Sequence, residues 1–180
     1  MNVKTGALLP TVTIAEKGEL QLLEHRVHYQ PWESSQLKSK MRVIQHIAGK
    51  TGAKELNAPL IEAIKSANFP KNHYQTTTII NLDDVIWGTG AFVVSRAEQG
   101  KKEYPWSSVV LDSHGITRER WQLFPDSSAI FLLDQQGYVR FCKEGKLSKD
   151  EISDLISEID LALGNPIYNP EKNKESLVEV

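Results

Sequence analysis

The sequence is poor in the residues that most often announce an activity. It has one cysteine, Cys142, in 180 residues, which excludes an intrachain disulfide and any dithiol site. No apolar run approaches the roughly 18–20 residues that cross a bilayer as a helix. Lysine and arginine number 21 against 23 aspartates and glutamates, a formal net charge of −2, so no basic excess points to nucleic acid. Residues 1–18, MNVKTGALLPTVTIAEKG, lack the charged segment and apolar core of a leader peptide. Two alternatives follow: a cytoplasmic protein, or an exported one whose signal peptide has been removed. There is no internal repeat and no low-complexity segment. Hydrophobic content of 40% and charged content of 24% are ordinary for a globular chain. The length suits one domain, residues 1–164, with a loosely ordered tail over 165–180 that holds two prolines and many charges.

The most informative stretch is Met41–Pro59, MRVIQHIAGKTGAKELNAP. Met41–Ile47 is apolar apart from Arg42, Gln45 and His46, which suits a central parallel strand covered on both faces. Ala48–Gly52 is a turn in which Gly49 and Gly52 supply conformational freedom. Leu56, Leu60 and Ile64 then recur every four residues, predicting a helix from about Gly52 to Ala67. Pro59 falls inside that helix and is expected to bend it.

The remaining elements follow from periodicity and turn chemistry. Gly6–Leu23 reads as a strand or hairpin turning at Lys17-Gly18, continued by Val27–Trp32. Gln75–Leu82 is a β-branched strand. A helix is expected over Ala91–Gln99, capped by Thr89 and stopped by Gly100. Ser107–Leu111, Ser128–Leu133 and Tyr138–Lys143 are strands, with a short helix over Thr117–Leu123 and a hairpin turn at Asp134–Gly137. Ser148–Glu151 is a capping box before a helix that carries Ile152, Leu155, Ile156, Ile159 and Leu163 on one face. Strands alternating with helices, then an antiparallel pair and a last helix, predict an α/β fold: a mixed central sheet with helices on both faces and an N-terminal β-hairpin.

Several passages resemble a known family. The strand–glycine loop–helix of Met41–Pro59 is how thioredoxin-like proteins present a reactive site. Thr51-Gly52-Ala53-Lys54 occupies the C-x-x-C window, and IAGKTG is similar to the glutathione peroxidase loop with Thr51 at the nucleophile. The passages VIQHIAGKTGAKELNAPLIEAIKSANFP (43–70), YQTTTIINLDD (74–84), EYPWSSVVLDSHG (103–115) and SSAIFLLDQQG (127–137) resemble the YtfJ family of bacterial proteins. YPWSSVVLD followed by AIFLLD is also similar to the peroxiredoxin and TlpA-like branch. The resemblance implies a thioredoxin-like three-layer sandwich and export to the periplasm of Gram-negative bacteria. It implies no settled activity. Thioredoxins carry a cis-proline before the fourth core strand; Ser128 stands there, and Pro125 lies three residues early. Some relatives carry a transcriptional-regulator label, which no helix-turn-helix or basic patch supports.

The candidate site is therefore a redox frame without its sulfur. A thiolate at a helix start has its pKa lowered; the Thr51 alcohol does not ionise there and is expected to cap the helix. A Thr51/His46 nucleophile–base pair would need contact between the two. Gly49, Lys50, Thr51, Gly52 and Lys54 could instead hold an anion or a peptide carboxylate at the helix amino end; the Walker A pattern fails at Ile44. Cys142 is either a small buried hydrophobe or an exposed reactive thiol. Val139 and Phe141 are expected on one face of its strand, Tyr138, Arg140 and Cys142 on the other. His25 and His28 point to opposite faces of a strand and cannot chelate together. Asp83-Asp84 lack a third acidic partner for a metal and are read as capping or solvated residues. Trp87 is a candidate exposed indole for peptide binding. The leading reading is a non-redox binding module near Gly49–Lys54, for an envelope protein segment or a small anion. It calls for no cofactor, metal or nucleic acid. The alternative is a peroxidase-like or reductase-like enzyme acting through Cys142.

Overall fold

The computed structural model describes residues 1–50 and 52–164; Thr51 and the expected tail, 165–180, lie outside them. In chain order the elements are β1 (Thr13–Leu23), β2 (Arg26–Glu33), a 3-10 turn (Ser34–Leu37), β3 (Met41–Ala48), a second 3-10 turn (Glu55–Asn57), α1 (Ala58–Ala67), β4 (Tyr74–Asn81), α2 (Gly90–Glu103), β5 (Ser108–Asp112), α3 (Ile116–Trp121), β6 (Ser128–Leu133), β7 (Val139–Glu144) and α4 (Lys149–Ala162). Among the described residues the strands form one sheet in the order β2-β1-β5-β4-β3-β6-β7. The β3–β4 and β4–β5 pairs are parallel and the others antiparallel.

All eight residues of β3 are buried, as its near-continuous apolar run predicts. Met41 and Val43 join a cluster formed with Leu60 and Ile64 of α1 and Leu155 and Ile159 of α4. Ile44 faces the other way, into a cluster with Trp121, Phe131, Trp32 and the N-terminal Val3 and Val12. The crossovers β3–α1–β4 and β4–α2–β5 move the same way across the sheet, so right-handedness puts α1 and α2 on one face. The short α3 and the N-terminal segment cover the opposite face, pinned where Trp121 Nε1 donates to the Pro10 carbonyl at 2.9 Å.

Four local expectations are corrected. Lys17-Gly18 is a bulge within β1, where residues 15–18 oppose only Pro31, between Ile14↔Trp32 and Glu19↔Gln30. A Cβ on Gly18 would lie 2.2 Å from the Gln30 carbonyl oxygen. The hairpin turns instead at Glu24-His25, both at positive φ (49° and 64°), as the mirror-image turn requires. Helix α1 starts at Ala58, so Pro59 sits in its first turn, where a missing N–H costs nothing. Its N-cap is Asn57, not Thr51. Helix α2 runs through Gly100 to Glu103, since one glycine costs only about 1 kcal/mol in a helix. The bulge between Leu132 and Leu133 in the β6–β7 ladder separates Val139 from Phe141. Val139 and Cys142 pack on the Trp121 side, and Phe141 packs on the α1–α4 side. The capping box at Ser148–Glu151 is present as expected.

Asn57 makes no cap hydrogen bond but ties the start of α1 to the rest. Its amide donates to the Gly145 carbonyl (2.9 Å) and Ser128 Oγ (3.2 Å) and accepts from Leu147 N–H (3.0 Å). It is 1% exposed, so truncation leaves buried polar groups unpaired. Asn57→Ala is expected to lower unfolding free energy by about 2–4 kcal/mol. Urea unfolding of the two proteins checks this, and a change under 1 kcal/mol would contradict it.

Candidate functional site

The site lies at the carboxyl ends of the parallel strands β3, β4 and β5, where open α/β sheets place ligands. Gly49 leaves β3 with its N–H on the Asn81 carbonyl at 2.8 Å. A Cβ there would stand 2.3 Å from Val85 Cγ2 and 2.8 Å from the Asn81 oxygen. Only glycine lets the β4–α2 loop, residues 82–89, close this tightly on the end of β3. Gly52–Lys54 form a turn ahead of α1, with Ala53 N–H 3.4 Å from the Lys50 carbonyl. Of the residues expected to bind, Gly49, Lys50, Gly52 and Lys54 therefore line one loop. Thr51 is outside the described residues. Because α1 begins at Ala58, this loop is not itself the helix amino end.

Charged side chains from three loops meet beside it. Lys50 pairs with Asp126 at 2.5 Å. Arg118 of α3 reaches Asp83 (2.7 Å) and Asp84 (3.5 Å). Asp84 Oδ2 also accepts from Asn81 Nδ2 at 2.8 Å and from Asp126 N–H at 3.4 Å. Asp83 and Asp84 are thus ion-paired rather than capping. The solvent-exposed Lys50–Asp126 and Arg118–Asp83 pairs add little stability, typically about 0–1 kcal/mol each, while Asp84 itself is nearly buried. Their effect is to fix the 82–89 and 124–127 loops against Lys50. In this cluster three carboxylates, Asp83, Asp84 and Asp126, pair with two cations, Lys50 and Arg118.

The loops carry exposed apolar side chains. Trp87 is 98% exposed and Phe124 69% exposed, with Ile86 and Phe92 also open. Beside them an open cleft of about 590 Å³ runs between α2 and β1, lined in part by Leu82, Val94, Glu98 and His114. Thr89 takes the N-cap position of α2, but its hydroxyl donates to the Ile86 carbonyl at 2.7 Å.

Beneath the loops lies a buried polar chain. Asp112, fully buried at the end of β5, accepts from Ile116 N–H (3.0 Å), Thr117 N–H (2.7 Å) and Thr117 Oγ1 (2.6 Å). The Thr117 hydroxyl proton is thereby committed to Asp112. Its oxygen, 3.1 Å from His46 Nε2, accepts from His46, which fixes the Nε2–H tautomer. His46 therefore faces α3, where its ring sits edge-on to Trp121. Burial pushes its pKa down to about 4, against the nearby Asp112 carboxylate, which favours the cation.

Cys142 is not part of this site. It is half-buried on β7, on the face away from α1, with Sγ 3.6 Å from the Val3 carbonyl and 3.8 Å from Thr5 Oγ1. His25 lies in the hairpin turn and His28 on β2, both exposed. Among the described residues no group of three His, Cys, Asp or Glu could hold a metal ion, and no helix is long and apolar enough to cross a membrane. Ser128, at the position expected for a cis-proline, opens β6, and among the described residues no peptide bond is cis. Sequence reasoning missed Arg118, Asp126 and Phe124. Only Asp112 left a signal, as an acidic residue just ahead of a helix start.

A parallel core, a reactive-type loop between β3 and α1, and a closing β6–β7 hairpin with α4 define a thioredoxin-like fold. Solved structures agree. A candidate thiol:disulfide interchange protein DsbE from Chlorobium tepidum superposes with a TM-score of 0.60 at 17% identity, covering 90% of this chain and 99% of the other. The thioredoxin domain of a thiol-disulfide oxidoreductase from Bacteroides vulgatus gives 0.54 at 15% identity, over 87% and 97%. At such identities the likeness concerns the fold alone. Within this class the chain belongs to the family described as bacterial protein of unknown function (YtfJ_HI0045), which it matches over residues 3–161. It is 49% identical over 153 residues to the Escherichia coli (strain K12) protein named "Uncharacterized protein YtfJ", covering 85% of this chain and 83% of that one. It is 46% identical over 159 residues to an uncharacterized Haemophilus influenzae protein, covering 88% and 86%.

The His46 environment sets a pH dependence. An unfolded histidine takes up its proton near pH 6.5, the buried one only near pH 4. Between those values the unfolded chain holds more protons, so stability falls as pH falls. The full effect is about 3 kcal/mol. Urea unfolding across that window is expected to show it. His46→Gln, which keeps an N–H for Thr117, is expected to remove this part of the slope; an unchanged slope would contradict the assignment.

Proposed function

We propose that this protein is a binding module of the cell envelope, working in the periplasm without thiol chemistry. It holds an extended segment of another protein across the loop end of the sheet. The observation that carries the reading is Trp87, almost wholly exposed on a loop that Gly49 locks against β3. An exposed indole carried on a braced loop is a typical anchor for a protein partner. Phe124 supplies a second apolar contact from the neighbouring loop. The excess carboxylate among Asp83, Asp84 and Asp126 suits a segment with a basic residue. A small anion at Gly49–Lys54 is less well supported, because Lys50 is already engaged by Asp126. The periplasmic assignment is supported by the YtfJ resemblance.

Enzymatic thiol chemistry at Cys142 is the second reading. It is weakened by the position of the sulfur under Val3, on the face opposite α1. A disulfide-exchange step would need a second thiol from another molecule.

A photo-crosslinking amino acid at position 87, in the living bacterium, tests the binding reading. A discrete adduct is expected in the periplasmic fraction, absent when the probe stands at Glu158 on α4. Phe124→Ser should weaken the adduct about tenfold or more, the scale of an interface anchor. An adduct equally strong from position 158, or none from position 87, would reject the reading.

A further inference from the structure

We propose that the opposite pole of the molecule docks on an anionic phospholipid surface. This pole is formed by the segments that lead into β3, β4 and β5. It lies one strand length, about 25 Å, from the loop end, and its docking does not depend on what the loop end binds.

Contacts join its residues into one patch. Lys40, just before β3, donates through Nζ to the Lys71 carbonyl at 2.8 Å. Lys71, before β4, holds its ammonium 4.0 Å above the Trp106 ring. Trp106, before β5, meets Tyr104 edge-on at 5.6 Å between centroids. Lys65, at the end of α1, is close enough to Tyr104 for their charges to interact. Trp106 is 58% and Tyr104 48% exposed. Glu62, paired with Lys65 at 2.8 Å, and Glu103, next to Tyr104 in the chain, are acidic residues within the patch, whereas Lys40 and Lys71 are engaged by a carbonyl and a ring and have no carboxylate partner among the described residues.

The combination selects the ligand. Lysines alone would meet any polyanion. An exposed indole and phenol, each apolar with a polar tip, suit the headgroup layer of a bilayer. Lysine stems lie along such a surface while their ammonium groups reach lipid phosphates. Each lysine contributes a factor of about five to binding at an anionic surface. The chain as a whole carries a net −2 charge, so the attraction is local to this pole and orients the molecule. Docked this way, the Trp87 end faces away from the bilayer.

Flotation with lipid vesicles tests the proposal on the full chain. Vesicles with about a third phosphatidylglycerol in phosphatidylcholine are expected to carry the protein, and pure phosphatidylcholine vesicles are not. Binding should fall steeply as salt is raised, since screening shortens the reach of the lysines. Lys40→Gln/Lys71→Gln should weaken it about 25-fold, a factor of about five for each charge. Trp106→Ser should weaken it too, while Trp87→Ser at the other pole should leave it unchanged. No preference for anionic vesicles in the unmodified protein would overturn the proposal whatever the variants do. So would equal losses from Trp87→Ser and Trp106→Ser, or retention by heparin without vesicle binding, which would assign the patch to a soluble polyanion.

Discussion

A strand buried along all eight residues, as β3 is, must be covered twice. Each large aliphatic side chain removed from water there stabilises the fold by roughly 1.5–3 kcal/mol. Val43 and Ile44 point to opposite faces, so neither layer of cover can be dispensed with. Helices α1 and α4 supply one. The other has only the six-residue α3, and the N-terminal segment completes it with Val3 and Val12. The same requirement places Cys142: as a residue facing that second layer, it lies beneath the N-terminal segment rather than beside the loop.

Burial of β3 also imposes a polar problem, because Arg42 and His46 are carried inside with it. An uncompensated buried charge would cost several kcal/mol. Arg42 donates to the Leu37 carbonyl, to Gln75 and to Thr77. Thr77 donates to Ser108, and Ser108 to Glu19. A guanidinium on β3 is thus linked to a carboxylate on β1 through hydroxyls on the two intervening strands. Each bond is worth only about 1 kcal/mol net, but together they fix how the N-terminal hairpin meets the parallel core. Burial shifts the Arg42 pKa down and Glu19 opposes that shift, the signature of a charge kept inside by its network. His46 takes the other solution and stays neutral, donating to Thr117.

The sequence made the fold legible wherever a single stretch of chain decides the outcome. The β3 run, the Ser148–Glu151 capping box and the Asp134–Gly137 turn are local, and they form as read. Where two segments decide the outcome, reading along the chain fails. Lys17-Gly18 carries a turn signal, yet it becomes a bulge because β5 pairs with it on one side while β2 passes Pro31 on the other. Asp83 and Asp84 show as a pair of carboxylates, but their partner Arg118 lies 34–35 residues onward on another element. The candidate loop was found at Gly49–Lys54, and its neighbours were not. Nothing local marks Asp126 as the partner of Lys50, or Phe124 as exposed.

The geometry of that loop does not require sulfur. Gly49 is fixed by the Val85 side chain and the Asn81 carbonyl, two groups that belong to the β4–α2 segment and take no part in thiol chemistry. Lys50 is fixed by Asp126, and Asp126 in turn donates its N–H to Asp84. A frame braced in this way keeps its shape with no cysteine in the loop. What is left is a set of loops braced against one another, presenting Trp87 and Phe124 to solvent. Burying an exposed side chain of that size recovers apolar area that folding left in water. The loops are already pinned by packing and ion pairs, so little ordering entropy opposes the contact. The proposed binding role asks of these loops only what they already provide, two exposed aromatic side chains held on a braced frame.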